Sequence, residues 1–429
     1  MFDLFKEWDC QKSGQVWGMP EGADALALSH LAQSHGNQAV FVAVDDAAMA
    51  RMQASLQMIG VNPEDILTLP AWDGLPYDRV SPNGVLVGQR LRCLAALQDQ
   101  DASAKAKPWF LLTTINAWLQ LLPPKSYFDD ARLSIAIGQN MPQRDFSHFA
   151  VSNGYRRSET VRESGEYAIR GSIIDVFPPG YADPVRIDFF DTEVETIKTF
   201  DAETQRSTGA IQSLILNPVS ELILNDDRIA IFRRRYLEHF GANASKDPLY
   251  ASVSEGRHYP GMEHMLPLFH DGLVHLSDYT AGAPVMFDPD SQTAAQLRFD
   301  QIHDFYTARL EAGDSTDEDH IWRVLPPDQL YLTQEQFKEW RSDRLHFDLS
   351  RFQRQEGEVG VGVDIGGKRG AIYHTAPTEN KMTGEGASAS PSHAVAEAIP
   401  NLAKDHVVIL AASTEGSRTR MDELIAEHL

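Results

Sequence analysis

From Gln15 to about residue 125, short apolar runs alternate with stretches whose apolar residues recur every three to four positions. The run Ala39–Val44, AVFVAV, has no polar interruption, the pattern of a strand buried on both faces. Gln15–Trp17, Ile66–Leu69 and Trp109–Thr114 read as further strands. Ala23–His35 is a predicted helix closed by Gly36. Met49, Met52, Leu56 and Ile59 share one face of a second helix, with Asp45 and Asp46 placed to cap it and Gly60 to end it. Helices over Val85–Leu97 and from Asn116 continue the series. Repeated units of this kind build a parallel sheet covered by helices.

After Gly154 the period changes to two. EYAIRGSIIDVFPPG and PVRIDFFDTEVETIKTF are strand-like runs joined by short polar turns, which predicts an antiparallel sheet over Gly165–Phe200 with a hairpin at Asp191–Thr192. From Arg206 to Arg351 helix and strand signals mix again, including the apolar run Val285–Phe287. Residues 376–392 have linker composition. Beyond them Ser392 can cap a helix, His406–Leu410 reads as a strand and Thr414–His428 as an amphipathic helix. The expected organisation is an α/β domain over 1–142, an antiparallel domain over 143–207 and a return to α/β over 208–350. An irregular linker over 351–392 and a small α/β module over 393–429 would follow.

Charge narrows the functional classes. A net charge of −23 argues against a chain that coats nucleic acid broadly, because phosphate binding needs clustered Lys and Arg. Cys10 and Cys93 are too few for a disulfide scaffold or a four-thiolate zinc site, which suits a reducing cytoplasm. The N-terminus lacks a signal-peptide core, and no run approaches the ~20 apolar residues that span a bilayer.

One stretch raises the question of nucleotide binding. Gly362–Lys368 satisfies G-x-x-x-x-G-K, but Arg369 stands where a phosphate loop needs Ser or Thr, and no amphipathic helix follows before Pro377. A Gly-Gly turn between two strands accounts for the same residues. The first strand–helix turn, WGMPEGADALALSHL, has the right position for such a loop, with Gly18 and Gly22, yet no Lys and no hydroxyl. Its Glu21 and Asp24 would repel a triphosphate. Asp288, ending an apolar strand, is followed by Pro289 rather than a second acid, and reads as the start of a loop. His258, His264, His270 and His275 lack the spacing of a zinc site and read as packed histidines. Neither catalytic residues, a metal nor a cofactor is therefore expected in this chain.

The antiparallel stretch is the remaining candidate. Six arginines there, including Arg156, Arg162, Arg170 and Arg186, lie among eleven acids, so no broad basic face is expected. Arg170 before Gly171, with Tyr155, Tyr167 and Phe177 nearby, has the composition of a protein-binding hot spot. Phe177 reads equally well as core.

Gly154–Ser207 closely resembles the region shared by the bacterial transcription-repair-coupling factors and the excision-nuclease subunit UvrB. LPAWDGLPYDRVSP (Leu69–Pro82), LLTTINAWLQLLPP (Leu111–Pro124) and GRHYPGMEHMLPLF (Gly256–Phe269) resemble the coupling factors specifically. The resemblance implies a degenerate RecA-like, UvrB-like parallel-sheet domain with an antiparallel α+β domain and a small C-terminal α/β domain. It implies a non-ATPase loop at Gly18–Ala23 and an antiparallel domain that recruits UvrA. Arg156, Glu166, Arg170, Asp175, Phe177 and Arg186 occupy the matching strands. It further implies that contacts with RNA polymerase and DNA, and the ATP-driven motor, belong to regions outside this chain. UvrB's aromatic-rich β-hairpin has no counterpart after Tyr77. A nucleotide-binding enzyme using Gly362–Lys368 and a UvrB-type binder of damaged DNA are the alternative readings.

Overall fold

The computed structural model describes residues 5–101, 107–313, 323–355, 361–367, 399–404, 408, 410, 412 and 414–426. The chain divides into two compact units, Met1–Gly367 and Lys368–Leu429. The second contains the helix Glu415–Ala426. The expected linker 376–392, the cap at Ser392 and all but two residues of the expected strand His406–Leu410 lie outside the described residues.

In the first unit the expected strand–helix series is present: β1 (Gly14–Trp17), α1 (Asp24–Gln33), β2 (Gln38–Ala43), α2 (Asp46–Met58), β3 (Ile66–Leu69), α3 (Gly84–Asp101) and β4 (Trp109–Thr114). Asp45 caps α2, its carboxylate accepting from the Ala48 N–H at 2.7 Å. The predicted helix from Asn116 is a single turn, Ile115–Trp118, capped by Thr114.

β5 (Leu133–Ala136) precedes the helix Gln143–Ser152. Six strands then form one sheet: β6 (Arg156–Arg157), β7 (Glu166–Arg170), β8 (Ile173–Val176), β9 (Val185–Phe190), β10 (Glu193–Phe200) and β11 (Ser207–Ile211). Its order is β11-β10-β9-β8-β7-β6, antiparallel except for β6 on β7. β12 (Ser213–Leu216) returns to pair with β5. The β9–β10 hairpin turns at Asp191, which takes a left-handed φ of 57° that Asp tolerates.

The chain then re-enters the first sheet. β13 (Val285–Phe287), β14 (His346–Leu349) and β15 (Gly362–Asp364) complete seven parallel strands in the order β15-β1-β14-β13-β2-β4-β3. The antiparallel module is thus inserted between strands of one parallel sheet. Alternation along β2 shows why its sequence is apolar throughout: Val40 and Val42 pack with α3 residues Leu91 and Leu94. Ala39, Phe41 and Ala43 pack with Leu28, Leu31 and Leu56 on the other face. A separate core around Phe232, Tyr236, Met265 and Leu266 joins the helices that follow β12.

Three of the four histidines expected to be packed are buried, while the fourth, His258, is exposed. His264, His270 and His275 are all under 10% exposed, and burial pulls each of them down to about 4. His264 lies against Trp72 and Tyr77, and its Nδ1 has no hydrogen-bond partner. Each histidine is neutral in the fold and titrates near 6.5 when unfolded, so its stabilising share is present above pH 6.5 and lost as pH falls toward 4. At pH 5 that loss is about 2 kcal/mol per histidine. Glu263 and Asp288, raised by burial to about 7 and about 6, act in the opposite direction. A His264→Phe chain should therefore lose about 2 kcal/mol less than the parent between pH 7.5 and pH 5. Urea unfolding at the two pH values checks this, and equal losses would refute it.

Candidate functional site on the antiparallel sheet

Strand alternation sorts this module's residues onto two faces. Tyr167, Ile174, Val176, Val185, Ile187 and Phe189 pack with Phe146 and Ala150 of the helix Gln143–Ser152. Their neighbours point the other way. Cross-strand register runs Ala168–Asp175–Arg186–Lys198, and Arg156 stands opposite Glu166. All six residues expected from the resemblance, Arg156, Glu166, Arg170, Asp175, Phe177 and Arg186, therefore belong to this outer face or its rim.

The outer face is organised around two carboxylates. Asp175 is 1% exposed and receives a two-pronged contact from Arg186, at 2.7 Å from Nε and 2.9 Å from Nη2. Arg170 approaches the same carboxylate at 3.8 Å, and its guanidinium also donates to the Glu159 carbonyl. The hydrogen bond to Asp175 holds the Arg186 guanidinium further above its ordinary range. Arg186 also lies 4.7 Å above the Phe200 ring. Glu166 binds Arg156 at 2.9 Å through one oxygen and accepts the Arg162 and Glu163 N–H groups through the other. Burial works to raise the Glu166 carboxyl, but those donors outweigh it and hold it below its usual value.

Phe177 is half-buried just beyond the end of β8, packed on Val161, Ala168 and Phe200. Tyr155 and Tyr167, expected beside it, are instead core residues at 5% and 4% exposure. Parity explains Tyr167: it sits between Glu166 and Ala168 and so faces the helix. Tyr155 is held by its hydroxyl, which donates to the Asn217 carbonyl at 2.6 Å. The sequence reading missed Phe200 beneath Arg186, and Phe190, 75% exposed at the hairpin end of β9. The alternation Arg186, Asp188, Phe190 carries the signal for the second of these.

The first strand–helix turn of the parallel sheet is a different kind of place. Gly18 and Gly22 take left-handed φ values of 65° and 88°. The adjoining cavity, about 290 Å³, is lined by Glu21, Asp24 and Asp288 together with Arg51 and Arg351. Arg351 lies 3.1 Å from Asp24 and 3.8 Å from Asp288, so the acids are neutralised from within the chain. Asp288 does more than begin a loop: it lines this cavity and accepts from the Val44 N–H at 3.4 Å. Among the described residues no group of three or more His, Cys, Asp or Glu is disposed to hold a metal ion. None of the described helices is long and apolar enough to cross a membrane.

The stretch GVDIGGKRG is described only in its first part. Its Gly362–Asp364 is a strand, as expected for the first arm of the turn, and pairs in parallel with β1. Lys368–Gly370 and the expected second arm lie outside the described residues.

Residues 133–222, which enclose this face, match the model of the UvrB interaction domain. Transcription-repair-coupling factors from several bacteria align with most of the chain. That of Rickettsia bellii is 35% identical over 274 residues, 63% of this chain and 24% of the relative. The chain is a homologue of these coupling factors. The Haemophilus influenzae coupling factor is 33% identical over 313 residues, 72% of this chain and 26% of the relative. That of Escherichia coli K12 is 27% identical over 334 residues, covering 77% and 27%. The chain thus spans about a quarter of the length of the curated relatives it matches.

Proposed function

We propose that this chain is the N-terminal region of a transcription-repair-coupling factor and acts as a non-catalytic adaptor whose outer face docks UvrA. The observation that carries this reading is the preformed Arg170–Asp175–Arg186 cluster beside a half-buried Phe177, within the stretch that matches the UvrB interaction domain. Docking of this kind relies on arginines and aromatics desolvated together, with their geometry set before the partner arrives. Asp175 sets that geometry, and Phe177 with exposed Phe190 supplies apolar area.

Contacts with RNA polymerase and DNA, and ATP-driven translocation, would reside in regions outside these residues. In the resting full-length protein those regions would mask the face, and engagement of a stalled polymerase would free it. A cytoplasmic location follows from this role. Support for a non-catalytic role comes from the acid-lined cavity at Gly18–Asp24, where Arg351 takes the position of a counter-ion and no lysine is present.

Competition tests the reading. UvrB carries the related domain, so the chain should displace labelled UvrB from UvrA as its concentration rises. Simultaneous binding of both proteins to one UvrA site, or no displacement at any concentration, would contradict it.

A further inference from the structure

We propose that the outer edge of β1, with the Gly18–Pro20 turn, is a strand-addition groove for an extended glycine-containing peptide, filled in cis by residues 361–367. The pairing is main-chain: Gln15, Val16 and Trp17 stand opposite Gly362, Val363 and Asp364. The Gln15 N–H donates to the Val361 carbonyl at 2.9 Å, and the Ile365 N–H to the Trp17 carbonyl at 3.1 Å.

Glycines on both sides make the approach close enough. A Cβ on Gly362 would lie 2.0 Å from the Gln15 oxygen, and one on Gly367 would lie 2.0 Å from the Gly18 oxygen. From the groove side, a Cβ on Gly14 would lie 2.6 Å from the Val361 oxygen, and one on Gly18 would lie 2.7 Å from an Asp364 carboxylate oxygen. The glycines that imitate a phosphate loop are therefore those that let this segment lie flat on the first strand–helix turn.

A second set of contacts fixes the segment's end. The Asp364 carboxylate accepts from the Gly366 N–H at 2.8 Å and from the Arg354 N–H at 2.9 Å. The Gln353 side-chain amide donates to the Gly367 carbonyl at 3.0 Å. Burial is shallow by comparison. Val361 is 65% exposed, and only Val363 and Ile365 reach the core beneath. A three-residue strand held by main-chain bonds and two half-buried aliphatics belongs to the low-stability part of a fold, so it can exchange. Recognition in this mode reads backbone shape, so the occupant is defined by glycines five residues apart flanking an Asp.

The test is amide hydrogen exchange on the full 429-residue chain. Replacing Gly362 and Gly367 together with valine should speed exchange of the Gln15 amide about tenfold or more, with Val40, deep in the sheet, unchanged. An excess of synthetic peptide spanning residues 361–367 should restore Gln15 protection in the variant. Unaltered Gln15 exchange, or a peptide that restores nothing, would overturn the proposal. Should the valines also speed Val40, Asp364→Ala, which removes only the end anchor, takes their place with the same expected contrast.

Discussion

Replacing Glu221 with alanine should destabilise the chain by about 3–5 kcal/mol. Arg90 and Glu221 are 0% and 1% exposed, and the guanidinium Nε meets the carboxylate at 2.5 Å. Arg90 also donates to the Pro70 carbonyl at 2.7 Å and lies over Trp72. The pair ties α3 and the end of β3 to the segment by which the chain leaves the antiparallel module. Truncating either partner strands a charge where water cannot reach it, which costs far more than the intact pair contributes. Arg90→Ala should therefore cost a similar amount. The double variant Arg90→Met, Glu221→Met should cost less than the sum of the two alanine variants, because it removes both charges and keeps the volume. Urea unfolding monitored by tryptophan fluorescence measures all four chains. Additive losses would show that the pair is not coupled.

The second large effect concerns binding. Asp175→Ala should weaken UvrA binding by about 2–3 kcal/mol, the scale of a hot spot, although Asp175 is too buried to touch a partner well. Its role is to hold Arg170 and Arg186 in one arrangement. Without it the two guanidinium groups repel each other and must be ordered when the partner docks. Two comparisons separate positioning from direct contact. Asp175→Asn keeps hydrogen-bonding capacity without the charge, and should recover part of the affinity. Combining Asp175→Ala with Arg170→Ala should cost less than the sum, since both act through one cluster. Calorimetric titration into UvrA reads these values. A full additive loss would mean that Asp175 and Arg170 work independently.

Some of this structure is legible in the residues and some is not, for identifiable reasons. Ile66–Leu69, Trp109–Thr114 and Val285–Phe287 are strands at their expected bounds, because apolar runs closed by polar residues leave little choice. The outer face is recognisable by resemblance, and strict alternation along β7 is enough to set Tyr167 on the opposite face from Glu166 and Ala168. Pairing across long separations is not readable. Nothing near β13 or β14 signals that they join the sheet begun at Gly14, because parallel partners meet through tertiary packing rather than a local turn. β15 shows the same limit: no local pattern signals that its partner strand lies more than three hundred residues earlier. Arg351 neutralising Asp24 and Asp288 is likewise invisible to local pattern.

The role proposed for the outer face of the antiparallel module is to dock UvrA. Its most direct test is a titration of purified UvrA with the wild-type chain and with Arg170→Ala, each first shown to unfold at the same urea concentration. Saturable binding by the wild-type chain is expected, weakened about thirtyfold by Arg170→Ala, the equivalent of about 2 kcal/mol. Absence of saturable binding, or equal affinity for the two chains, would contradict it.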